Sequence, residues 1–137
     1  MNKKRLMKLA GLLEADANNP KGVKFDLGLW AERPRAKRFP KEVKRLDCNT
    51  SACAVGLACL SGAFKEEGLS WESCDSENNI TPMFNGHTEY AAVEQFFGIT
   101  NHQADYLFTY NSYAPDLRSG REGELAVAAR IREMVKA

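Results

Sequence analysis

Apolar residues recur every three or four positions near both ends of the chain. Leu6, Leu9 and Leu13 form such a stripe, and this spacing predicts an amphipathic helix over residues 2–15. The segment that begins at Ser119 with a capping-box pattern predicts a second amphipathic helix at the C-terminus. Its residues expected to face the core are Leu125, Ala128, Ile131, Met134 and Val135.

Two further helices are expected in the second half of the chain. Residues 88–97 place their apolar positions at helical spacings, and Gly98 is suited to end this helix in a left-handed conformation. Thr100 and Gln103 then form a capping-box pattern that predicts the start of the next helix. The two helices should pack as an αα-turn.

The segment from Ala54 to Leu60 is apolar on every side, which is typical of a helix at the centre of a domain. Thr50 or Ser51 is suited to cap it. Gly56 lies inside this helix at a cost of about 1 kcal/mol relative to alanine. A close approach of another helix or of backbone would explain the glycine.

Strand signals are weaker. Residues 23–29 alternate in polarity, but we favour a helical turn capped by Asp26 that buries Trp30, because no pairing strand follows directly. Residues 68–81 are polar and look irregular. The predicted fold class is therefore mainly α: a single compact domain over residues 1–137, with about five helices around a buried central helix and at most a minor β element.

The composition of the 137 residues is that of an ordinary globular protein, with 44% hydrophobic and 27% charged residues. No run of apolar residues approaches the length of a membrane span. Lys8 and Glu14 interrupt the apolar stretch that a signal peptide needs after its basic start. We therefore expect a cytoplasmic protein that does not bind membranes.

The net charge of +1 conceals a strong division. Residues 1–47 contain 13 basic and 6 acidic residues, whereas residues 48–137 contain 6 basic and 12 acidic residues. Much of the positive charge lies in a segment that Pro34 and Pro40 interrupt, so an extended basic loop is predicted over residues 33–47. Its basic residues are Arg33, Arg35, Lys37, Arg38, Lys41, Lys44 and Arg45.

This basic segment suggests three kinds of partner. An acidic protein surface would respond to its field. A small anionic ligand could bind between Lys44, Arg45, the hydroxyls of Thr50 and Ser51, and the free amides of the helix that follows. Nucleic acid should bind weakly and without sequence preference, because the other half of the molecule is acidic. The alternative is that the segment is a solvated connector.

The four cysteines allow a catalytic alternative. Cys48 or Cys53, near a helix start, could act as a nucleophile with His87 as the base. A zinc site is disfavoured because Cys48 and Cys53 have no second pair at the usual spacing. A disulfide between Cys48 and Cys53 is possible but untypical of a cytoplasmic chain. The simplest interpretation is that Cys53 and Cys59 are buried hydrophobic residues, with no metal or cofactor.

The stretch Cys48-Asn49-Thr50, followed by Cys53, Gly56 and Ala58, resembles a family of small bacteriophage and bacterial proteins. That family has the pattern Cys-Gly-Thr, two residues, Cys, two residues, Gly, one residue, Ala. Phe97-Gly98-Ile99-Thr100 and Leu107-Phe108 match further family features, and Asn49 departs from the usual glycine. The resemblance implies a helical, phage-encoded accessory protein and assigns no catalytic residues.

The sequence thus favours a non-catalytic binding protein. It would bind a host protein or an anionic ligand through the basic loop and a helix N-terminus. The alternative is a cysteine-dependent hydrolase that uses Cys48 or Cys53 with His87.

Overall fold

The computed structural model describes residues 1–33, 49–74 and 79–137, in which five α-helices pack against a six-stranded mixed sheet. The helices are α1 (Lys3–Ala17), α2 (Ala54–Leu60), α3 (Glu89–Phe97), α4 (Asn101–Phe108) and α5 (Gly120–Lys136). The strands are β1 (Lys24–Phe25), β2 (Ala31–Glu32), β3 (Ser51–Ala52), β4 (Ser70–Cys74), β5 (Asn79–Phe84) and β6 (His87–Thr88). Short 3-10 turns cover Lys65–Glu67, Tyr110–Ser112 and Pro115–Leu117.

The sheet runs in the order β1-β3-β2-β5-β4, and β6 pairs with the far end of β5. Only the β1–β3 pair is parallel; the other described pairs are antiparallel. The prediction of a mainly α fold with at most a minor β element is therefore wrong. The helix count is right, but the fold combines helices with a mixed sheet.

Two local predictions failed for the same reason. The turn that we favoured over residues 23–29 is wrong at its start, because Lys24 and Phe25 pair with Ser51 and Ala52, far along the chain. The prediction that residues 68–81 are irregular is wrong for the described part of that range, because β4 and β5 form an antiparallel pair that includes residues 70–74 and 79–81. Strands of two residues and polar hairpins have too little hydrophobic periodicity to be predicted from the local sequence.

Helix α2 lies at the centre of the molecule, as predicted, with all seven residues buried. Its Gly56 meets the backbone of Trp30: a Cβ atom on Gly56 would stand 1.8 Å from the Trp30 carbonyl oxygen. The expected close approach is confirmed. Around this helix, Phe64 packs edge-on against Phe96 and Phe97, with ring centroids 5.2 and 6.2 Å away.

The helix ends follow the predicted signals in part. Thr100 and Gln103 form the complete capping box at the start of α4: the Gln103 amide donates to Thr100 Oγ1 at 3.2 Å, and the Thr100 amide donates to Gln103 Oε1 at 2.9 Å. Gly98 ends α3 at φ 62°, which is the left-handed conformation expected there. Ser119 precedes α5 but makes no capping hydrogen bond from its side chain, so the second capping box is absent.

Candidate functional site

A row of polar side chains crosses one face of the sheet. Ser51 of β3 lies opposite Lys24 of β1 and Glu32 of β2, and Glu32 lies opposite Asn79 of β5. Their chain neighbours Phe25, Ala31, Ala52 and Ile80 are buried. Because side chains alternate between the two faces of a strand, this register turns the apolar residues to the core and the polar row outward.

A cavity of about 300 Å³ lies at this row, lined by Lys24, Glu32, Arg33, Asn49 and Ser51. Arg33 and Ser51 are both predicted site residues, and the structure brings them together. Arg33, the first residue of the basic segment, and Asn49, the first described residue after it, both line this cavity. The remaining predicted residues Arg35, Lys37, Arg38, Lys41, Lys44, Arg45 and Cys48 are outside the described residues.

The predicted cap of the central helix is wrong. Thr50 and Ser51 do not cap α2, because the chain stays extended there to pair with β1 and β2. Thr50 is fully buried, and its hydroxyl has no hydrogen-bond partner among the described residues. Cys53 is the cap instead: its Sγ atom accepts a hydrogen bond from the Gly56 amide at 3.4 Å. The Gly56 amide, which belongs to the helix start expected to bind an anion, therefore already donates a hydrogen bond to Cys53.

The thiol of Cys53 is 3% exposed, and burial raises its pKa to about 11. Burial also raises the pKa of Cys59. At neutral pH these groups are thiols, whereas a cysteine nucleophile needs the thiolate. His87 is exposed in β6, and the described hydrogen bond of the Cys53 side chain is to Gly56. The geometry of Cys53 therefore does not favour a Cys–His pair.

We predict that Cys53 and Cys59 resist alkylation in the folded protein. At about pH 8, iodoacetamide should leave both unmodified in a mass-spectrometric peptide map, because buried thiols stay protonated and shielded. The same protein unfolded in guanidinium chloride is the control, and all four cysteines should then react. Rapid alkylation of native Cys53 would contradict this and restore the nucleophile interpretation.

Cys53 also lines an aromatic cavity of about 270 Å³. Trp30 and Tyr90 form one wall, with ring centroids 5.0 Å apart, and Phe108 contributes another. Sequence reasoning missed it, because its lining comes from residues 27–30, β3–α2, α3 and α4.

Two carboxyl side chains, Asp16 of α1 and Glu124 of α5, line a third cavity, of about 350 Å³. Glu124 is 2% exposed, and its pKa is raised to about 9. Burial is the larger cause, and the neighbouring Asp16 carboxyl is the smaller one. The sequence held a signal for this pair. Asp16 continues the Leu9–Leu13 stripe, and Glu124 precedes Val127 and Ile131 at helical spacing. Both acids therefore fall on the apolar faces of their helices.

Comparison with protein-family models, with curated proteins and with solved structures finds no match for this chain. No helix in the described part of the chain has the length and apolarity to span a bilayer.

Proposed function

We propose that the protein is a non-catalytic binding protein that engages an acidic surface of a partner protein through the basic segment, residues 33–47. The observation that supports this most is the cavity at the polar row. Lys24, Arg33, Asn49 and Ser51 line it, so the first residue of the basic segment and the first described residue after the segment meet there. A small anionic ligand would use the same groups. An accessory role of the kind that the phage-protein resemblance implies belongs to this proposal.

The charge of the segment supports an acidic partner. Seven of its residues are basic, and the polar row adds Lys24. Opposite charge accelerates encounter and sets orientation even when each contact contributes little affinity. Glu32 lies in the same row, and its negative charge would repel a ligand that carries only negative charge. A protein surface of mixed charge with a net acidic patch suits this arrangement better than a bare phosphate.

Nucleic acid is a weaker candidate. The chain outside the basic half has a net negative charge, which would repel a phosphate backbone. Helix α4, which follows the αα-turn, contains Asp105 and no lysine or arginine to reach bases or phosphates. The hydrolase alternative gains no support from Cys53, whose buried thiol has a raised pKa.

Charge reversal in the basic segment tests the proposal. We expect Arg35→Glu, Arg38→Glu and Lys41→Glu together to weaken binding of a fluorescein-labelled oligoglutamate about tenfold or more, because several attractive contacts become repulsive. Fluorescence anisotropy measures the affinity over a salt series. The melting temperature should stay nearly constant, since the sequence predicts a solvated loop here and charges in such a loop contribute on the order of 0–1 kcal/mol.

The matched control is Lys3→Glu, Lys4→Glu and Lys21→Glu, which changes the net charge equally at exposed positions elsewhere. It should lose little affinity for the oligoglutamate. Equal loss in both variants would mean that only net charge matters, and unchanged binding in the first would place the interface elsewhere. Tighter binding of a DNA duplex, with a steeper salt dependence, would favour a nucleic-acid partner.

A further inference from the structure

The aromatic cavity beside Cys53 is lined by side chains with little hydrogen-bonding capacity. Its other lining residues are Leu27, Gly28, Leu29, Trp30, Tyr90 and Phe108. Trp30 and Tyr90 are partly exposed, so a ligand can reach the rings of both. The planes of these two rings meet at 55°, so they present aromatic surface in two directions. The cavity volume of about 270 Å³ lies just below the range of about 300–1,000 Å³ for ligand sites, which suits a small group.

The segments that line this cavity are rich in acidic residues. Residues 26–30 and helices α2, α3 and α4 contain four acidic residues and no lysine or arginine. The acidic residues are Asp26, Glu89, Glu94 and Asp105. Asp26 Oδ1 accepts a hydrogen bond from the Gly28 amide at 2.8 Å, which places this carboxylate beside a lining residue. Asp105 precedes Phe108 by three positions in α4, so both side chains lie on the same side of the helix.

The Asp105 carboxylate is also close to one of the accessible rings. Burial is the largest cause that raises the pKa of Tyr90 to about 12, and the neighbouring Cys53 and Asp105 add to the shift. Within the described ranges, no lysine or arginine forms an ion pair with Asp26 or Asp105. Their negative charge therefore remains available to attract a positively charged ligand to the cavity.

The rings of the cavity differ from a neighbouring ring that already has a cation over it. Tyr110 lies at the cavity edge, because a Cβ atom on Gly28 would stand 3.7 Å from its ring. The Arg118 guanidinium lies 4.3 Å from the Tyr110 ring centroid, and its Nε donates to the Tyr110 carbonyl at 3.0 Å. In the part of the chain that the structure describes, no cation lies over Trp30 or Tyr90. Their faces are open to a cation from outside the chain.

We propose that the aromatic cavity binds a methylated ammonium group, either of a free quaternary ammonium compound or of a methylated lysine side chain. Its methyl groups contact the faces of Trp30 and Tyr90, which attract the positive charge through the ring quadrupoles. Asp26 and Asp105 add attraction over a longer distance. The rest of the ligand extends from the cavity into solvent.

A methylated head suits this lining better than a primary ammonium group does. A primary ammonium has three N–H donors that are hydrogen-bonded to water, and a lining with few acceptors does not replace those bonds. A quaternary ammonium has no N–H group, so it loses no such hydrogen bond on entering the cavity. Its charge is retained, which an uncharged group of the same shape lacks.

Three ligands with the same hydroxyethyl tail test the head group. Choline has a trimethylammonium head, ethanolamine has a primary ammonium head, and the tert-butyl analogue of choline has carbon in place of nitrogen. Choline should give saturable NMR shifts at the Trp30 indole N–H and the Gly28 amide. Its affinity should be at least about tenfold higher than that of the other two, because they lack the methyl groups or the charge. The chain has two tryptophans, so a Trp71→Phe variant assigns the indole signals.

Acetylated trimethyllysine amide distinguishes the two sources of the ligand. Tighter binding of this compound than of choline would assign the site to a modified peptide side chain, whereas tighter binding of choline would assign it to a free compound. The absence of saturable binding by both overturns the proposal. An equal affinity of choline and its tert-butyl analogue also overturns it, because the cavity would then be selective only for an apolar shape.

Trp30→Leu should weaken choline binding about tenfold or more, because leucine keeps the wall apolar but removes the ring. Trp71→Leu is the matched control: it removes an indole from β4, outside the cavity, and should bind choline as the wild type does. If Trp30→Leu does not fold, Tyr90→Leu provides the same test from α3. Full choline affinity in a folded variant without one of these two rings overturns the proposal.

Asp105→Asn measures the contribution of the carboxylates. It should weaken choline binding about threefold or more and leave the binding of the tert-butyl analogue unchanged, because only a charged ligand responds to the lost charge. Glu66→Gln is the control, since it removes the same charge from an exposed position outside the lining segments. Unchanged choline affinity in Asp105→Asn, or an equal loss in both variants, would overturn the role of Asp105.

Discussion

Replacing Gly56 by alanine should destabilise the protein by about 3 kcal/mol or more, the upper range for inserting a methyl group into a packed core. The added Cβ would stand 1.8 Å from the Trp30 carbonyl oxygen and 2.6 Å from its carbon. Relief requires α2 to move away from the chain at Trp30. That movement would break the hydrogen bond from the Cys53 amide to the Trp30 oxygen, which measures 3.0 Å. Chemical denaturation measures the loss.

Gly11→Ala is the matched control. Gly11 lies in the interior of α1, and nothing stands within 4 Å of the position its Cβ would occupy. Alanine there should stabilise the protein by about 1 kcal/mol, which is the helix-propensity difference. Opposite signs for the two substitutions separate the steric effect from helix propensity. A stable Gly56→Ala variant would show that α2 does not pack against the Trp30 backbone as described.

The stability of the protein should fall as the pH rises from about 5 to about 8, because Glu124 retains its proton in the folded state. Its pKa is raised from 4.5 to about 9, so the folded protein binds more protons than the unfolded chain throughout this range. Stability decreases with pH wherever the folded state binds more protons. Each unit of pKa difference corresponds to about 1.4 kcal/mol, so the total reaches several kcal/mol.

Urea denaturation at a series of pH values measures this slope, and Glu124→Gln should abolish most of it. Near pH 8 that variant should exceed the wild type by about 2 kcal/mol or more, because glutamine does not ionise. Glu122→Gln should retain the wild-type slope, since Glu122 is exposed. Arg132 lowers the pKa of Glu14, and Arg5 lowers the pKa of Glu67. The contributions of these two ion pairs to the free energy of unfolding are therefore lost only in acid. Equal slopes in the wild type and Glu124→Gln would contradict the assignment.

Helices were predictable because their signals are local. The periodicity of residues 88–97, the glycine at position 98 and the Thr100 capping box all lie within a few residues of the helices they define. The burial of α2 followed from its apolar composition on every side. The residue that caps α2 is Cys53, whose sulfur is a weak hydrogen-bond acceptor. Because N-cap preferences favour threonine and serine, the sequence pointed to Thr50 and Ser51 instead.

The strands and the candidate site were not predictable in the same way. Ser51 becomes a strand residue only because Lys24 and Glu32 lie on either side of it, and neither pairing is visible locally. The meeting of Arg33 and Ser51 follows from that register. By contrast, Asp16 and Glu124 lie on apolar helix faces that the sequence reveals. Two acids on the core-facing stripes of two helices were a detectable anomaly, and only their contact required the fold.

The attachment of the basic segment to neighbouring antiparallel strands has a consequence for how such a protein can evolve. β2 and β3 pair at Glu32 and Ser51, so the chain that connects them leaves and re-enters the sheet at adjacent points. Closing a longer connection between fixed, adjacent ends costs only about 0.6 kcal/mol for each doubling of its length. Insertions, deletions and wholesale sequence replacement between these strands should therefore be tolerated. The helices and sheet would then serve as a constant frame on which recognition of new partners is acquired by exchanging one connection.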